Sequence, residues 1–556
     1  MKIQLEQLNY TIGDLSGNCQ KIISAIEHGK SKEVDLIVFS ELAVCGYIPH
    51  DMLEQKDFID MVYEHVESIA GHCHDVAILL GSPWINESEN GKKLFNAALF
   101  ISKGSVQQVF KKTLLPTYDI FDDYRYFEPN TEFELLQYKG EKIAVTICED
   151  LWDKQEASSQ FAKETLYSLS PLRELTKLEP DYVINIAGSP FSYNQEGLRK
   201  QVLIKNAKNY AFPIIYVNQV GANTELIYDG SSRVINRNGE IVNQLANFNE
   251  DSKIIDTNQI DALPAIESKS RDKIAMIHEA LILGIRDFFN KMGFKTAIMG
   301  LSGGIDSALT AALVAEAIGS ENTYGILMPS KYSSNHSIKD AEQLAQNLGM
   351  HYETIPIQQS FAAINASMSA YFAGKEEDVT EENIQARLRG VILMAASNKN
   401  GHIVINTSNK SEAAVGYTTL YGDMNGGLSV LGDVYKTDVF ALSRYINRNG
   451  EIIPENSITK PPSAELRPGQ KDEDSLPPYE ILDGILFSYI EKKRSVTEII
   501  EAGYAPKTVD FVVNLVNRNE HKRFQAPPIL RISSKAFGFG RRMPLIAKYV
   551  IKQKKK

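Results

Sequence analysis

Six short apolar, β-branched runs recur within the first 245 residues of this 556-residue chain, and few folds accommodate such a series. They lie at 35–39 (DLIVF), 76–81 (VAILLG), 96–101 (NAALFI), 143–147 (IAVTI), 182–186 (YVINI) and 213–218 (PIIYVN). Apolar runs of four to eight residues closed by turn signals predict buried strands. Helical patterns at 18–28 and 196–210 lie between several of them, so residues 1–245 are expected to form a layered α/β domain. Residues 246–271 lose the rhythm, turn polar and acidic, and are expected to be a linker.

A second α/β domain is expected over residues 272–556. Ile274, Ile277, Ala280, Leu281, Leu283 and Ile285 share one face of a predicted helix. A strand at 296–301, a loop at 302–307 (SGGIDS) and an apolar helix at 307–318 follow, with Gly319 as its stop. A strand at 324–328, a helix at 337–348 and a strand at 402–406 continue the series. Strand–loop–helix units in succession imply a parallel sheet wrapped by helices.

Composition excludes several classes. With 59 basic against 70 acidic residues the formal charge is −11, which opposes nucleic-acid binding as the main activity. Cys19, Cys45, Cys73 and Cys148 are too few and scattered for a disulfide framework, and no CxxC pair points to structural zinc. No apolar run reaches about 18 residues, so no membrane span is expected. The opening MKIQLEQLNY is broken by Glu6 and does not read as a signal peptide. The expected location is cytoplasmic, and the basic tail KQKKK is expected to stay solvated.

SGGIDS is the sharpest local signal. Two glycines after a strand let the backbone curl with its N–H groups turned inward, and the helix that follows directs its positive end at the same place. That geometry suits a phosphate, although GxxxxGK[ST] is absent, and Asp306 could hold Mg2+ against phosphate oxygens. The six residues alone equally fit a glycine-rich turn with a capping serine.

Followed by EENIQARLRG (381–390), NKSEAAVGYTTLYGDM (409–424), PPSAEL (461–466), NEHKRFQAPP (519–528) and SSKAFGFGRR (533–542), the loop resembles that of the NAD+ synthetases of the ATP-pyrophosphatase superfamily. The resemblance implies a Rossmann-like parallel sheet in which ATP adenylates the nicotinate carboxylate of deamido-NAD+ and ammonia displaces AMP. It places ATP on Gly300, Leu301, Ser302, Gly303, Gly304, Ile305, Asp306, Ser307, Thr407, Lys436 and Ser463. Deamido-NAD+ falls to Asn383, Arg387, Glu412, His521 and Lys522, and Mg2+ to Asp306 and Glu412. Ser408 stands where many relatives carry glycine. Singly, Lys436, Arg387 and Glu412 would read as solvated charges, and Lys522, Arg523, Arg531, Arg541 and Arg542 as a basic face; the ordered set favours function.

In the first domain, FSELAVCGY (39–47), FKKTLLPTYDIFDDYRYF (110–127) and VTICEDLW (145–152) place Glu41, Lys112 and Cys148 near strand ends. Amide hydrolysis needs these types: a thiol, a base to activate it, and a fixed cation for the oxyanion. Taken singly, a cysteine after a strand is usually a buried small hydrophobe, and Cys45, outside the ICED context, is read as structural. The three strings resemble the nitrilase superfamily, specifically glutaminase domains fused to NAD+ synthetases. The resemblance implies an α/β/β/α sandwich with Cys148 as nucleophile, Glu41 as proton acceptor and Lys112 as oxyanion stabiliser, and with Tyr118 and Ser189 on glutamine. Asp123 stands where relatives usually carry glutamate, and Gln195 where they carry lysine or arginine, with Arg199 or Lys200 as candidate replacements.

The two resemblances together imply an enzyme whose first domain releases ammonia from L-glutamine and whose second consumes it, yielding AMP, pyrophosphate and L-glutamate. Free ammonia would protonate and diffuse away, so a sealed passage is the physical expectation. The family implies a homo-oligomer with active sites shared across subunits. The rival readings are an ATP-pyrophosphatase amidotransferase with another acceptor, and a nucleotide-binding scaffold with a dead glutaminase.

Overall fold

The computed structural model describes residues 1–153, 166–223, 225–267 and 271–547; the KQKKK tail lies outside them. The chain divides into two compact units, Met1–Ser270 and Arg271–Lys556.

The first unit has two six-stranded sheets. One runs, edge to edge, Asp251–Asp256, Lys2–Gln7, Leu36–Val38, Ala77–Ile85, Leu94–Ser102, Ser105–Lys111. The other runs Ile241–Gln244, Arg233–Ile235, Ile214–Asn218, Tyr182–Ala187, Glu141–Ile147, Leu136–Tyr138. Alternation builds the layers. Leu36, Val38, Ala77 and Leu79 face a core shared with Ile143, Val145 and Ile184 of the other sheet. Ile37, Phe39, Ile78 and Leu80 instead face Ile22, Ile26, Val62 and Val66 of the helices Leu15–Ser31 and Lys56–Ala70. Leu203 and Ala207 of the helix Gln195–Tyr210 join the core containing the second sheet, which completes the α/β/β/α sandwich.

The boundary expected at residue 245 is corrected. Asp251–Asp256 pairs antiparallel with Lys2–Gln7 along six residue pairs, and a 3-10 turn, Thr257–Ala262, follows, so residues 251–262 belong to the first unit and not to a linker. This edge strand buries only Ile255 and exposes Ser252, Lys253 and Ile254, which is why its sequence reads as linker. Lys2–Gln7 escaped the strand pattern for a related reason: Gln4 and Glu6 are polar yet buried.

The second unit holds a five-stranded sheet in the order His351–Thr354, Thr323–Leu327, Ala297–Gly300, Ile403–Asn406, Leu428–Ser429, every neighbouring pair parallel. Strand order reverses between Ala297–Gly300 and Ile403–Asn406, and a crevice opens outside the carboxyl ends of strands at such a point. The helix Lys273–Met292 is capped by the Asp272 side chain and closed by Gly293. Past the sheet, Tyr479–Leu486, Val496–Glu501 and Pro506–Arg518 pack around Leu482, Ile485, Ile499, Val512 and Val516. Among the described residues no helix is long and apolar enough to cross a membrane.

Candidate active sites

In the first unit Cys148 follows the strand Glu141–Ile147 directly and opens a 3-10 turn, Cys148–Leu151, with φ +44°. That left-handed conformation is costly for cysteine and is held from outside. Asp150 Oδ2 accepts the Ile147 N–H at 2.9 Å, while Oδ1 accepts the N–H groups of Thr113 at 3.0 Å and Leu114 at 2.8 Å. Asp150 thus ties the cysteine turn to the segment that begins at Lys112.

Lys112 Nζ lies 2.7 Å from both Glu41 Oε1 and Asp123 Oδ2, and none of the three side chains is exposed. Asn96 Nδ2 donates to Glu41 Oε1 at 2.7 Å and the Gly188 N–H to Oε2 at 2.8 Å, leaving the carboxylate well held. Asp123, despite being shorter than the usual glutamate, reaches the ammonium and also accepts from Tyr47 Oη at 3.1 Å. Burial pushes the Cys148 thiol well above its ordinary value; the Glu41 charge adds to this and Lys112 opposes it. Both charges therefore contribute to the field at the sulfur.

Glu149, the residue after Cys148, is a candidate the sequence did not single out. It is buried, accepts Tyr118 Oη at 2.8 Å and Tyr167 Oη at 2.9 Å on one oxygen, and is pushed up to about 7 by burial. The signal was present in ICED, where two acids follow the nucleophile at a strand end. Tyr118 is accordingly aimed at a carboxylate. Ser189 is part-buried, and its backbone exchanges hydrogen bonds with the Asn218 side chain at 2.9 and 3.1 Å. Gln195 opens the helix Gln195–Tyr210, where Arg199 is buried, ion-paired with Asp229, and has Nη1 3.5 Å from the Ser189 carbonyl. Lys200 is part-buried on the same helix. Cys45 is fully buried with its thiol pushed up to about 12.

In the second unit a cavity of about 300 Å3 occupies the crevice at the sheet's reversal point. Gly300, Leu301, Ser302, Gly304, Ile305, Asp306, Ser307, Thr407, Glu412, Lys436 and Ser463 line it. Gly303 does not; it has φ +76°, and a Cβ there would stand 2.1 Å from the Ser337 carbonyl oxygen. The helix begins at Ile305, two residues earlier than predicted, because Gly304 caps it in an extended conformation and Ser307 Oγ donates to the Gly304 carbonyl at 3.0 Å. Asp306 therefore stands in its first turn, where the dipole favours an acid.

Lys436 Nζ donates to Asp306 Oδ2 and lies 3.3 Å from Glu412 Oε1. Asn409 Nδ2 donates to Asp306 Oδ1 at 2.8 Å. Asn409 and Glu412 form a capping box on the helix Lys410–Val415, which fixes where Glu412 stands. Burial, with help from Asp306 and Asp472, raises the Glu412 carboxyl, and Lys436 opposes the shift. The Ser463 hydroxyl donates to the Gln470 carbonyl at 2.6 Å. Ser408, in the place of a glycine, uses its hydroxyl to hold the Asp423 carbonyl at 3.3 Å. Arg389, Lys460, Asp423 and Asp472 also line the cavity and were not anticipated.

Asn383, Arg387, His521 and Lys522 are not cavity-lining. Three of them gather around the neighbouring loop 416–420. Asn383 Oδ1 accepts Thr419 Oγ1 at 2.7 Å, Arg387 Nε donates to the Leu420 carbonyl at 3.1 Å, and Lys522 Nζ donates to the Gly416 and Thr418 carbonyls at 2.7 Å each. Tyr417 of that loop faces the cavity. His521 is exposed, with Nδ1 3.1 Å from the Arg518 carbonyl. Among the described residues no set of three or more His, Cys, Asp or Glu forms a metal site.

A family model described as NAD synthase matches residues 277–526, and one described as carbon-nitrogen hydrolase matches residues 2–165. A glutamine-dependent NAD(+) synthetase of Synechocystis sp. is 44% identical over 556 residues, covering 98% of each chain. One from Thermotoga maritima is 39% identical over 585 residues, covering 99% of each. The solved structure of a glutamine-dependent NAD+ synthetase from Acinetobacter baumannii in complex with ADP matches 98% of both chains at 38% identity, with a TM-score of 0.76.

Proposed function

The chain belongs to the glutamine-dependent NAD+ synthetases, and we propose a division of labour among its residues. The enzyme amidates deamido-NAD+ at the expense of ATP, with L-glutamine as the nitrogen donor. In the first unit Cys148 Sγ attacks the amide carbon of glutamine as Glu41 takes the thiol proton; Glu41 then gives that proton to the departing ammonia. Lys112 stabilises the oxyanion, and Asp123 and Asn96 hold Lys112 and Glu41 in place. The resulting thioester is hydrolysed by water that Glu41 deprotonates. Glu149, Tyr118 and Ser189 receive the amino-acid end of the substrate, the buried carboxylate of Glu149 suiting an ammonium.

In the second unit the glycine loop and the first N–H groups of the helix Ile305–Ile318 receive the ATP phosphates. The nicotinate carboxylate attacks the α-phosphorus, pyrophosphate leaves, and ammonia displaces AMP from the acyl-adenylate. Asn383, Arg387, His521 and Lys522 are assigned to the dinucleotide, next to the cavity wall formed by Tyr417. Asp306 and Glu412 fit Mg2+: both present a carboxylate oxygen to one ammonium, so both face a common point, and carboxylates are the hard donors this ion takes. When bound, Mg2+ neutralises charge on the phosphates. Lys436 remains the residue that meets developing negative charge on them.

A homo-oligomer is assigned here as well, tested by sedimentation. Four buried free thiols are consistent with the cytoplasm as the location assigned here.

The observation that carries the residue roles is the buried Glu41–Lys112–Asp123 set, in the same unit as the strained turn that opens at Cys148. Cys148→Ala is expected to lose NAD+ formation from glutamine and keep it from added ammonium, whereas Asp306→Ala loses both. Glutamine-driven turnover in Cys148→Ala would remove Cys148 from the nucleophile's role.

A further inference from the structure

The Lys436 side chain is 2% exposed and donates to Asp306 Oδ2 while lying 3.3 Å from Glu412 Oε1. The other oxygens of these carboxylates are also engaged, Asp306 Oδ1 by Asn409 Nδ2 at 2.8 Å and Glu412 Oε2 by the Asn409 N–H at 3.5 Å. A single positive charge thus sits where a divalent cation would need both acids. A dication and an ammonium compete for those oxygens, because repulsion between buried like charges is poorly screened.

A second observation shows where the ammonium can go. Asp472 is 4% exposed and lines the same cavity; its Oδ2 accepts Tyr479 Oη at 2.8 Å, while its buried Oδ1 has no hydrogen bond within 3.5 Å, the Tyr417 hydroxyl being the other group that bears on this carboxylate. The Asp472 charge acts on Lys436, whose ammonium lies 5.3 Å from the centre of the Tyr479 ring. A second carboxylate in the same cavity, held by Tyr479, whose ring the ammonium also faces, offers it a second station.

Resting on the reading that Asp306 and Glu412 are the metal ligands, we propose that Lys436 is a placeholder cation that keeps divalent metal out until nucleotide arrives. In the free enzyme it neutralises the two acids. The triphosphate supplies new acceptors and further oxygen ligands, Lys436 shifts toward the phosphates and Asp472 Oδ1, and the vacated carboxylates take the metal. Metal and nucleotide then bind with strong positive coupling, and neither acid is left without a cation at any stage.

The test is a titration of full-length protein with Mn2+, the free ion being followed by its electron paramagnetic resonance. Nucleotide-free wild type is expected to bind Mn2+ at least about tenfold more weakly than protein saturated with a non-hydrolysable ATP analogue, after subtracting Mn2+ held by the analogue alone. Nucleotide-free Lys436→Met is expected to bind one Mn2+ at least about tenfold more tightly than wild type. Asp472→Asn is expected to weaken the nucleotide-dependent binding. Equal affinity of the wild type with and without the analogue overturns the proposal without recourse to any variant, and equal affinity of folded Lys436→Met and wild type does so too. Adding Asp306→Asn to Lys436→Met should abolish the binding; binding that survives it would instead refute Asp306 as a ligand.

Discussion

Lys112 Nζ and Glu41 Oε1 stand 2.7 Å apart with neither side chain exposed, so each neutralises a charge that water does not reach. Lys112→Met would leave Glu41 and Asp123 buried without their cation, at a cost of about 3–5 kcal/mol. Glu41→Gln keeps the Lys112–Asp123 pair and should cost much less, and the double variant should recover part of the loss. Trp84 and Trp152, the only two tryptophans, both lie in the first unit, so their fluorescence during urea unfolding reads this unit alone. Additive losses in the double variant would contradict the coupling.

Glu149 is expected to set the acid limb of glutamine use. Burial pushes its carboxyl up to about 7, and the hydroxyls of Tyr118 and Tyr167 pull it back down. If the ionised form receives the substrate ammonium, kcat/KM for glutamine rises with pH and levels off above that value, because protonation below it removes the negative charge. Tyr118→Phe deletes a hydrogen bond to the charged form, so the limb should move to higher pH. Ammonium-driven NAD+ synthesis serves as the control that lacks this limb. A limb unmoved by Tyr118→Phe would disconnect it from Glu149.

What the sequence shows of this fold follows burial type. The six apolar runs become strands because both faces of their sheets are covered, and such strands read as continuous hydrophobic segments. Lys2–Gln7 and Asp251–Asp256 were hidden by polar residues whose surroundings are set by pairing across about 250 positions of chain. The helical layer around Val512 and Leu482 carries no chemistry-bearing motif to single it out. Within the sites, motif order marked Glu41, Cys148, Asp306 and Glu412, but not what they touch. Asn96 and Gly188, which hold Glu41, lie 55 and 147 residues away from it. Asp472 shares the cavity with Asp306 from a segment that reads as an ordinary acidic loop.

Gly303→Ala is expected to disable the nucleotide site. The position has φ +76°, and an added Cβ would approach the Ser337 carbonyl oxygen to 2.1 Å, backbone against backbone. Left-handed strain alone costs about 1 kcal/mol or more for a residue with a Cβ, and the collision must also displace either the glycine loop or the helix Asn335–Leu348. The KM for ATP should rise or ATP-dependent turnover vanish, while the tryptophan-reported unfolding of the first unit stays unchanged. Wild-type ATP kinetics in this variant would show that the loop tolerates a different course.

Lys410 is expected to matter as much to NAD+ formation as a residue that touches substrate. Its ammonium is fully buried and engages Asp433 Oδ1 at 2.8 Å, Glu491 Oε1 at 3.0 Å, Ser533 Oγ at 2.8 Å and the Lys535 carbonyl at 3.0 Å. Asp433 Oδ2 in turn accepts the N–H groups of Ile532 and Ser533 at 2.8 and 2.7 Å, so one cation fastens residues 532–535 to the start of the helix Lys410–Val415. Asn409, which holds Asp306, precedes it, and Glu412 lies two residues on. Lys410→Met withdraws the ammonium from beside two buried carboxylates, again a loss of about 3–5 kcal/mol, this time in the second unit. It also releases the helix end that aligns Asn409 and Glu412, and a displacement of about 1 Å at a catalytic group can lower the rate by roughly a hundredfold. Lys410→Arg should not rescue it, because a planar guanidinium cannot reproduce contacts arranged around a compact ammonium. Ammonium-driven synthesis and thermal unfolding together decide the matter: wild-type rate and stability in Lys410→Met would show that the buried network positions nothing.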